Sequence, residues 1–161
     1  MIDKTQAPTV IDSEPMGFAH ALPRFVAGDR NPERIDVRYQ WVDGRVEGEA
    51  QLGPLAAGPP GHAHGGAITS LLDEAMGYAA WIVAGIVLTA RIEVDFLRPV
   101  RLPTSVRVLA SVSEHSGRKV TTEGSLLDQN GMVLARSRAV FVLLPPDKAE
   151  KLGNTLSSPP K

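Results

Sequence analysis

One segment of the sequence, residues 66–84, limits the possible folds more than any other. Its apolar residues recur at steps of three and four, which is helical spacing. They are Ala67, Ile68, Leu71, Leu72, Ala75, Met76, Ala79, Ala80 and Val83. At about 100° per residue, these positions cover more than half of the helix circumference. An apolar arc of that width predicts a helix that is wrapped by other elements.

The segments on both sides of this helix predict a sheet that could wrap it. Before the helix, apolar residues alternate from Ile35 to Trp41, and Asp43-Gly44 is a hairpin signal that joins this strand to a second one at residues 45–52. After the helix, period-two segments predict strands at residues 86–96, 106–112, 119–128 and 132–144, with a type I′ turn at Asn130-Gly131. The spacing of the turns leaves no room for a crossover helix. We therefore expect an α+β fold, with a curved antiparallel sheet around one long central helix.

Composition indicates one ordinary globular domain. We expect it to occupy residues 34–145, preceded by an N-terminal tail (1–33) with a possible short helix at 14–20. A mobile C-terminal tail (146–161), interrupted by Pro and Ser, should follow it. The 17 Lys and Arg nearly balance the 18 Asp and Glu, so charge gives no reason to expect nucleic acid or membrane as a partner. The absence of cysteine excludes a thiol nucleophile and a disulfide scaffold. With no signal segment at its start, the chain is expected to be cytoplasmic.

The segment GHAHGGAI at residues 61–68 carries the first chemical signal. A helix that begins near Gly66 has unpaired N–H groups in its first turn. The segment contains no Ser, Thr, Asp or Asn that would cap them. Adjacent glycines let a ligand approach the backbone, and the helix dipole is positive at this end. The pattern indicates a site for an oxyanion, and the alternative is a tight turn that needs positive φ.

Asp73 carries the second signal. On a helical wheel it lies near Gly66, Ser70 and Gly77, whose small side chains predict a groove that can hold substrate. A carboxylate at such a groove can activate water or attack a carbonyl carbon, and the alternative is a solvated helix acid. Glu74 falls on another side of the helix and is interpreted as solvated.

Metal and serine chemistry have weak support. His62 and His64 form an H-x-H pair, but a zinc site usually needs three well-spaced ligands. We therefore expect no metal, and we expect His64 to hydrogen-bond the turn. The chain also lacks a G-x-S-x-G nucleophile motif.

The string GPPGHAHGGAITSLLDEAMGYAA, with VLTARIEVDFLRPVRLP and SGRKV after it, resembles the PaaI-like family of hotdog-fold acyl-CoA thioesterases, and in particular its THEM4-type branch. The resemblance covers about residues 35–144. It implies a hotdog fold and hydrolysis of an acyl-CoA thioester to a carboxylic acid and free CoA, with no cofactor beyond the CoA of the substrate. It also implies a homodimer or a dimer of dimers with its sites at the subunit interface.

The resemblance also implies roles for individual residues. Asp73 matches the catalytic acid, as general base or nucleophile, and Gly65, next to His64, matches the glycine whose backbone N–H polarises the thioester carbonyl. Thr89 matches a strand hydroxyl that orients the attacking water, from the neighbouring subunit. If side chains alternate regularly between the two faces of the strand, Thr89 also lies on the face away from its own helix. Arg118 and Lys119 match a basic pair that contacts CoA.

The chain departs from the family pattern at two places. Many relatives carry an Asn several residues before the HGG motif, where this chain has Gly58-Pro59-Pro60. Close relatives have polar substrate contacts late in the strand after the helix, and Asp95 and Leu97 hold those places here. Two other functions stay open on the same fold. One is a hydratase or dehydratase of enoyl or 3-hydroxyacyl thioesters, in which His64 would pair with the acid. The other is a non-catalytic acyl-CoA sensor.

Overall fold

The structure, a computed structural model, describes residues 9–11, 26 and 33–156. Two helices and a short 3-10 helix accompany the strands in this part of the chain. The elements in chain order are β1 (Thr9–Ile11), β2 (Ile35–Val42), β3 (Arg45–Leu52), a 3-10 helix (Pro54–Ala56), α1 (Gly65–Ala84), β4 (Val87–Phe96), β5 (Thr104–Ser116), β6 (Lys119–Leu127), β7 (Val133–Leu143) and α2 (Pro146–Leu156). The predicted α+β fold is confirmed.

The strands form one antiparallel sheet in the order β1-β2-β3-β5-β6-β7-β4. β4 therefore lies at one edge of the sheet, next to β7 alone. β1, which forms the other edge, falls in the segment that we expected to be a tail. Its three residues pair with Tyr39, Gln40 and Trp41 of β2. The open edge of β2 supplies the hydrogen-bond partners that make this short segment a strand, and no periodicity within it signals this.

The core lies between α1 and one face of the sheet. Fully buried side chains of α1 meet inward-facing side chains of the strands, as the wide apolar arc predicts. The largest of these side chains are Leu52, Leu71, Leu72, Met76, Leu126 and Phe141. The opposite face of the sheet carries charged residues that alternate with the buried ones, for example in β3. The position of α1 thus decides which sheet face can share a site with the helix.

The two predicted hairpin turns have different outcomes. Asp43 and Gly44 both have positive φ, 48° and 81°, as a type I′ turn requires. The type I′ prediction for Asn130-Gly131 is wrong, because Gly131 has positive φ and Asn130 does not. The Asp128 carboxylate instead accepts hydrogen bonds from the backbone N–H groups of Asn130 and Met132, at 2.9 and 2.8 Å. This side-chain contact favours a longer turn.

A β-bulge changes which face of the sheet the side chains of β4 point to. The register with β7 shifts between Thr89 and Arg91, so Ala90 is an extra residue in β4. Val87 is buried at one end, and Ile92 packs against the core beyond the bulge. Those two residues are five apart and could not share a face in a regular strand. Thr89, two residues after Val87, consequently faces α1.

The C-terminal segment that we expected to be a mobile tail begins with a helix, α2. Pro146 opens it and Asp147 lies in its first turn, both of which favour a helix start. The short helix predicted at residues 14–20 lies outside the described residues. Among the helices of the described part, none has the length and apolar character needed to cross a membrane.

Candidate active site

His64 caps the first turn of α1. Its backbone is extended (φ −67°, ψ 138°), and its Nδ1 atom accepts a hydrogen bond of 2.8 Å from the Gly66 N–H. The prediction of a helix start without a side-chain cap is therefore wrong at Gly66, whereas the expected bond between His64 and the turn is present. Because Nδ1 is the acceptor, the neutral ring carries its proton on Nε2. A Cβ on Gly66 would lie 2.8 Å from Nδ1, so only glycine admits the ring here.

One backbone N–H group at the start of α1 takes no part in this capping. The N–H groups of Ala67 and Ile68 donate to the His64 carbonyl oxygen, at 3.0 and 3.2 Å. Within the described residues, the Gly65 N–H has no acceptor. The structure thus narrows the predicted oxyanion site to Gly65, at the positive end of the helix dipole.

The loop before α1 is held by neighbouring backbone. The His64 N–H donates to the Ala56 carbonyl oxygen at 2.8 Å, and the Ala63 N–H donates to the Val100 carbonyl oxygen at 2.9 Å. A Cβ on Gly58 would lie 3.0 Å from the Cα of His64. Any side chain at position 58 would therefore press against His64, so glycine lets the loop pack closely on the residue that precedes α1.

Asp73 and Thr89 form a hydrogen-bonded pair. The Thr89 hydroxyl donates to Oδ1 of Asp73 at 3.0 Å. The Asp73 carboxyl is half-buried, and this burial raises its pKa above the usual value for aspartate, while the bond from Thr89 acts in the opposite direction. The interpretation of Asp73 as a solvated helix acid is therefore wrong. A carboxylate with a raised pKa is a stronger base than an ordinary surface aspartate.

The placement of Thr89 corrects the sequence analysis. We expected Thr89 to face away from its own helix and to serve the neighbouring subunit, but its hydroxyl contacts Asp73 of the same chain. The cause is the bulge at Ala90, which breaks the even alternation assumed for β4.

Glu74 also differs from its prediction as a solvated acid. It is half-buried, and its Oε2 atom accepts a hydrogen bond of 3.1 Å from the hydroxyl of Tyr39. Tyr39 is 3% exposed, and burial, followed by the Glu74 carboxylate, raises its pKa well above the usual value. The sequence analysis missed this contact because strand alternation shows only that Tyr39 points inward.

The other residues that were predicted to contact substrate lie in two different places. Ser70 and Gly77 lie on the same partly exposed side of α1 as Asp73. The Ser70 hydroxyl donates to the Gly66 carbonyl oxygen at 2.7 Å, so its proton serves the helix. Asp95 is paired with Arg136 across the strands and is exposed. It lies beyond the bulge on the charged face of the sheet, so this chain does not bring it to Asp73.

The predicted basic pair is split. Arg118 lies in the β5–β6 turn, and its Nε–H donates to the Leu143 carbonyl oxygen at 3.1 Å. Lys119 points to the outer sheet face, into a cavity of about 340 Å³ that it lines with Arg91, Glu93, Glu114, Arg138 and others. The two cations therefore flank the end of β7 from different sides.

The histidines do not gather around a common point. The Nδ1 atom of His62 lies 3.0 Å from the Pro60 carbonyl oxygen, and Nδ1 of His64 is occupied by the Gly66 N–H. Across residues 33–151, whose side chains the structure describes, no three His, Asp or Glu residues are grouped as metal ligands would be.

Comparison with known proteins gives consistent likenesses. Residues 60–135 match the family model described as the thioesterase superfamily. Acyl-coenzyme A thioesterase THEM4 of Xenopus laevis is 35% identical over 109 residues, which cover 67% of this chain and 49% of that protein. The rat protein of the same name is 32% identical over 68% of this chain and 48% of its own length. The chain therefore spans about half the length of these relatives.

Solved structures show the same architecture. A crystal structure described as a thioesterase superfamily protein is 31% identical, with a TM-score of 0.66, and the match covers 73% of this chain and 58% of that chain. The Escherichia coli PaaI protein is 20% identical, with a TM-score of 0.63 over 69% of this chain and 80% of its own. These likenesses, together with the sheet around α1, define a hotdog-fold protein. The match over residues 60–135 places this part of the chain in the thioesterase superfamily.

Proposed function

We propose that the protein is an acyl-CoA thioesterase that hydrolyses an acyl-CoA to a carboxylic acid and free CoA, without a metal ion. The observation that carries the proposal is the half-buried Asp73 carboxylate, which is held by the Thr89 hydroxyl. The Gly65 N–H, which no other described group uses, supplies the second requirement of acyl transfer, a donor for the carbonyl oxygen.

Two relatives add support. THEM4 from Xenopus laevis, a protein named as an acyl-coenzyme A thioesterase, is 35% identical over 67% of this chain. Structures of a Streptococcus pneumoniae thioesterase include a complex with coenzyme A and two alanine variants, of an aspartate and of a threonine. Those two positions have the same separation in sequence as Asp73 and Thr89, which are 16 residues apart.

The chemistry follows from these groups. Asp73 removes a proton from a water molecule oriented by Thr89, and the water oxygen forms a bond to the thioester carbonyl carbon. Negative charge develops on the carbonyl oxygen, where the Gly65 N–H stabilises it. The C–S bond then breaks, and the proton passes from Asp73 to the CoA thiolate. If Asp73 itself attacks the carbonyl carbon, an anhydride forms first and water then cleaves it, with the same products.

The two groups lie far apart along the helix within one chain. Gly65 and Asp73 are eight residues apart on α1, which is about 12 Å along the helix axis at 1.5 Å per residue. A water on the carboxylate and a carbonyl oxygen on the N–H, each at a hydrogen-bond distance of about 2.9 Å, would bridge these groups only in a nearly straight line along the helix, which disfavours a site within one chain. We therefore propose that Asp73 and Thr89 of one subunit act with Gly65 of the partner subunit.

The edge strand β4 offers the surface for such a pairing. Its outer edge has no strand beside it among the described residues, and it carries exposed apolar side chains at both ends, Leu88 and Phe96. Pairing β4 with β4 of a second copy about a two-fold axis would extend the sheet and set two α1 helices antiparallel. A homodimer, alone or within a dimer of dimers, would then contain two equivalent sites.

The CoA end of the substrate is proposed to meet Arg118 and Lys119. Both cations lie near the end of β7 that pairs with the start of β4, Arg118 in the β5–β6 turn and Lys119 on the outer sheet face. Cations at the exposed strand end can hold phosphate groups. The cytoplasmic location stays a prediction.

A matched pair of variants tests the role of the Gly65 donor. Gly65→Pro removes the N–H, and proline suits this first helical position because the preceding ψ of 138° is one that proline accepts. Gly65→Ala keeps the N–H and adds the same Cβ. We expect Gly65→Pro to lower kcat by about 10²- to 10³-fold relative to Gly65→Ala, in an assay of CoA release. Equal kcat values, with equal melting temperatures, would remove this donor from the mechanism.

Mixing inactive variants tests the shared site. If Gly65→Pro and Asp73→Asn are each inactive, a mixed dimer has one doubly altered site and one intact site. Random mixing should then restore about a quarter of the wild-type sites, since half of the dimers are mixed. Activity that stays absent after verified subunit exchange would place both groups in one chain.

A second assay separates a thioesterase from a hydratase. A thioesterase releases CoA from an acyl-CoA, whereas a hydratase changes the absorbance of an enoyl-CoA without releasing CoA.

A further inference from the structure

Phe96 lies over the start of α1. It is the last residue of β4, and 52% of its surface is exposed. A Cβ built on Gly65 would lie 3.3 Å from Cζ and 3.6 Å from Cε1 of the Phe96 ring. The ring is therefore in close contact with the residue whose N–H has no acceptor, and this contact requires glycine or a small displacement at position 65.

The fold does not need this aromatic ring for its core. After the bulge, Ile92 and Val94 pack against the core, and Phe96 follows on the same face at the next alternate position. At that point β4 has reached the first residue of α1, so the ring lies at the edge of the core and remains half exposed. Burying a phenylalanine side chain is worth about 1.5–3 kcal/mol, and much of that stabilisation is not realised within one chain.

The Phe96 ring borders the space that an acyl group would enter. A carbonyl oxygen that accepts from the Gly65 N–H would lie about 2.9 Å from the nitrogen. The carbon atoms next to that carbonyl would then lie in the space beside Gly65, which the ring limits on one side. An apolar wall also excludes water from that side of the donor and strengthens its hydrogen bond.

We propose that Phe96 is a specificity-determining residue that selects acyl groups by their shape next to the carbonyl. Unbranched acyl chains lie flat against the ring, and a methyl branch on the carbon next to the carbonyl collides with it. This inference rests on the proposed function, because it names the substrate class for the same site. One methyl group in an apolar pocket changes selectivity by about 10- to 200-fold, so the effect is large enough to measure.

The test compares unbranched and branched acyl groups of equal carbon number. Wild type, Phe96→Leu and Phe96→Ala are assayed for CoA release from butyryl-CoA and isobutyryl-CoA. We expect the kcat/KM ratio of butyryl-CoA to isobutyryl-CoA to fall at least about tenfold in Phe96→Ala, with Phe96→Leu between the two. Met132→Ala is the control, because Met132 is also exposed (48%) but lies in the β6–β7 turn and should leave the ratio unchanged.

Binding measurements separate this inference from the proposed function. The affinities of the same proteins are measured by calorimetry for analogues of both substrates in which a methylene group replaces the thioester sulfur. Wild type that binds the unbranched analogue more tightly, with a preference lost in Phe96→Ala, supports the inference even if no acyl-CoA is hydrolysed. An unchanged preference in folded Phe96→Ala and Phe96→Leu, or no binding of either analogue, overturns it.

Discussion

The two sides of α1 carry adjacent carboxylates in different surroundings. Asp73 and Glu74 are both half-buried, and each accepts a hydrogen bond from a hydroxyl group, at 3.0 and 3.1 Å. Their side chains point about 100° apart around the helix. Asp73 meets the exposed Thr89 on the edge strand, whereas Glu74 meets the buried Tyr39 of β2.

Burial and a hydroxyl donor are common to the two acids, so they do not by themselves distinguish Asp73, the catalytic acid that we propose, from Glu74. Tyr39 is enclosed by the core, where it also packs against Tyr78 with ring centroids 5.1 Å apart. The Tyr39–Glu74 contact satisfies a buried hydroxyl. Thr89 lies on the open edge of the sheet, where a substrate and a second subunit can approach. Access from outside therefore distinguishes the two acids.

The largest expected effect comes from replacing each acid by its isosteric amide. Asp73→Asn removes the base and should lower kcat by at least about 10³-fold, within the range for general acid–base groups. Glu74→Gln keeps an acceptor for Tyr39 and should leave kcat unchanged. The measurement is steady-state CoA release from both variants. A loss of kcat in Glu74→Gln as large as that in Asp73→Asn would show that the two carboxylates do not differ in function.

A smaller effect is expected from Thr89→Val. It loses one hydrogen bond to Asp73, so kcat/KM should fall about tenfold, which corresponds to about 1.4 kcal/mol. The bond lowers the pKa of Asp73, so its loss raises that pKa further and moves the acid limb of the pH profile to higher pH.

Thr89→Ser is the control for this substitution, because serine retains a hydroxyl at the same position. It should keep the acid limb of the kcat/KM profile near that of wild type. An acid limb that stays in place in Thr89→Val would show that this bond does not act on the titration of the catalytic group.

Much of the fold could be predicted because periodicity reports burial. The apolar arc of residues 66–84 identified α1, and period-two alternation identified the strands that wrap it. The bulge at Ala90 could not be read in this way, because an extra residue interrupts alternation without changing composition. Thr89 was consequently assigned to the wrong face. β1 was missed because its formation depends on the edge of β2.

The candidate site was predictable in its residues and less so in its contacts. The HGG motif and Asp73 define the site that we propose, and Asp73 does have a partly buried setting. His64 was not foreseen as the helix cap, because histidine is outside the usual capping residues and acts here only because Gly66 lacks a Cβ. Phe96 gave no sequence signal, since an inward position at the end of a strand is typical of a core residue.

On the Glu74 side, Tyr39→Phe should affect stability and leave activity unchanged. It removes the hydroxyl that donates to Glu74 while the ring keeps its packing on Tyr78. We expect the free energy of unfolding to fall by about 1.5–3 kcal/mol, as for a hydrogen bond to a charged group. Urea unfolding measures the change, and kcat serves as the control. A large loss of kcat at unchanged stability would assign Tyr39 to the catalytic side.

The smallest expected effect is a pH-dependent gain in stability from Asp73→Asn. Because burial raises the pKa of Asp73, the folded state binds its proton more tightly than the unfolded state does. The wild-type protein therefore loses stability as pH rises from the usual aspartate range, near pH 4, through the raised value. Asn does not titrate, so this variant should melt above wild type at pH 7, and the difference should shrink as pH falls toward 4. A variant that melts below wild type at neutral pH would mean that the ionised carboxylate stabilises the fold. That result would contradict the raised pKa on which the role of Asp73 as a base depends.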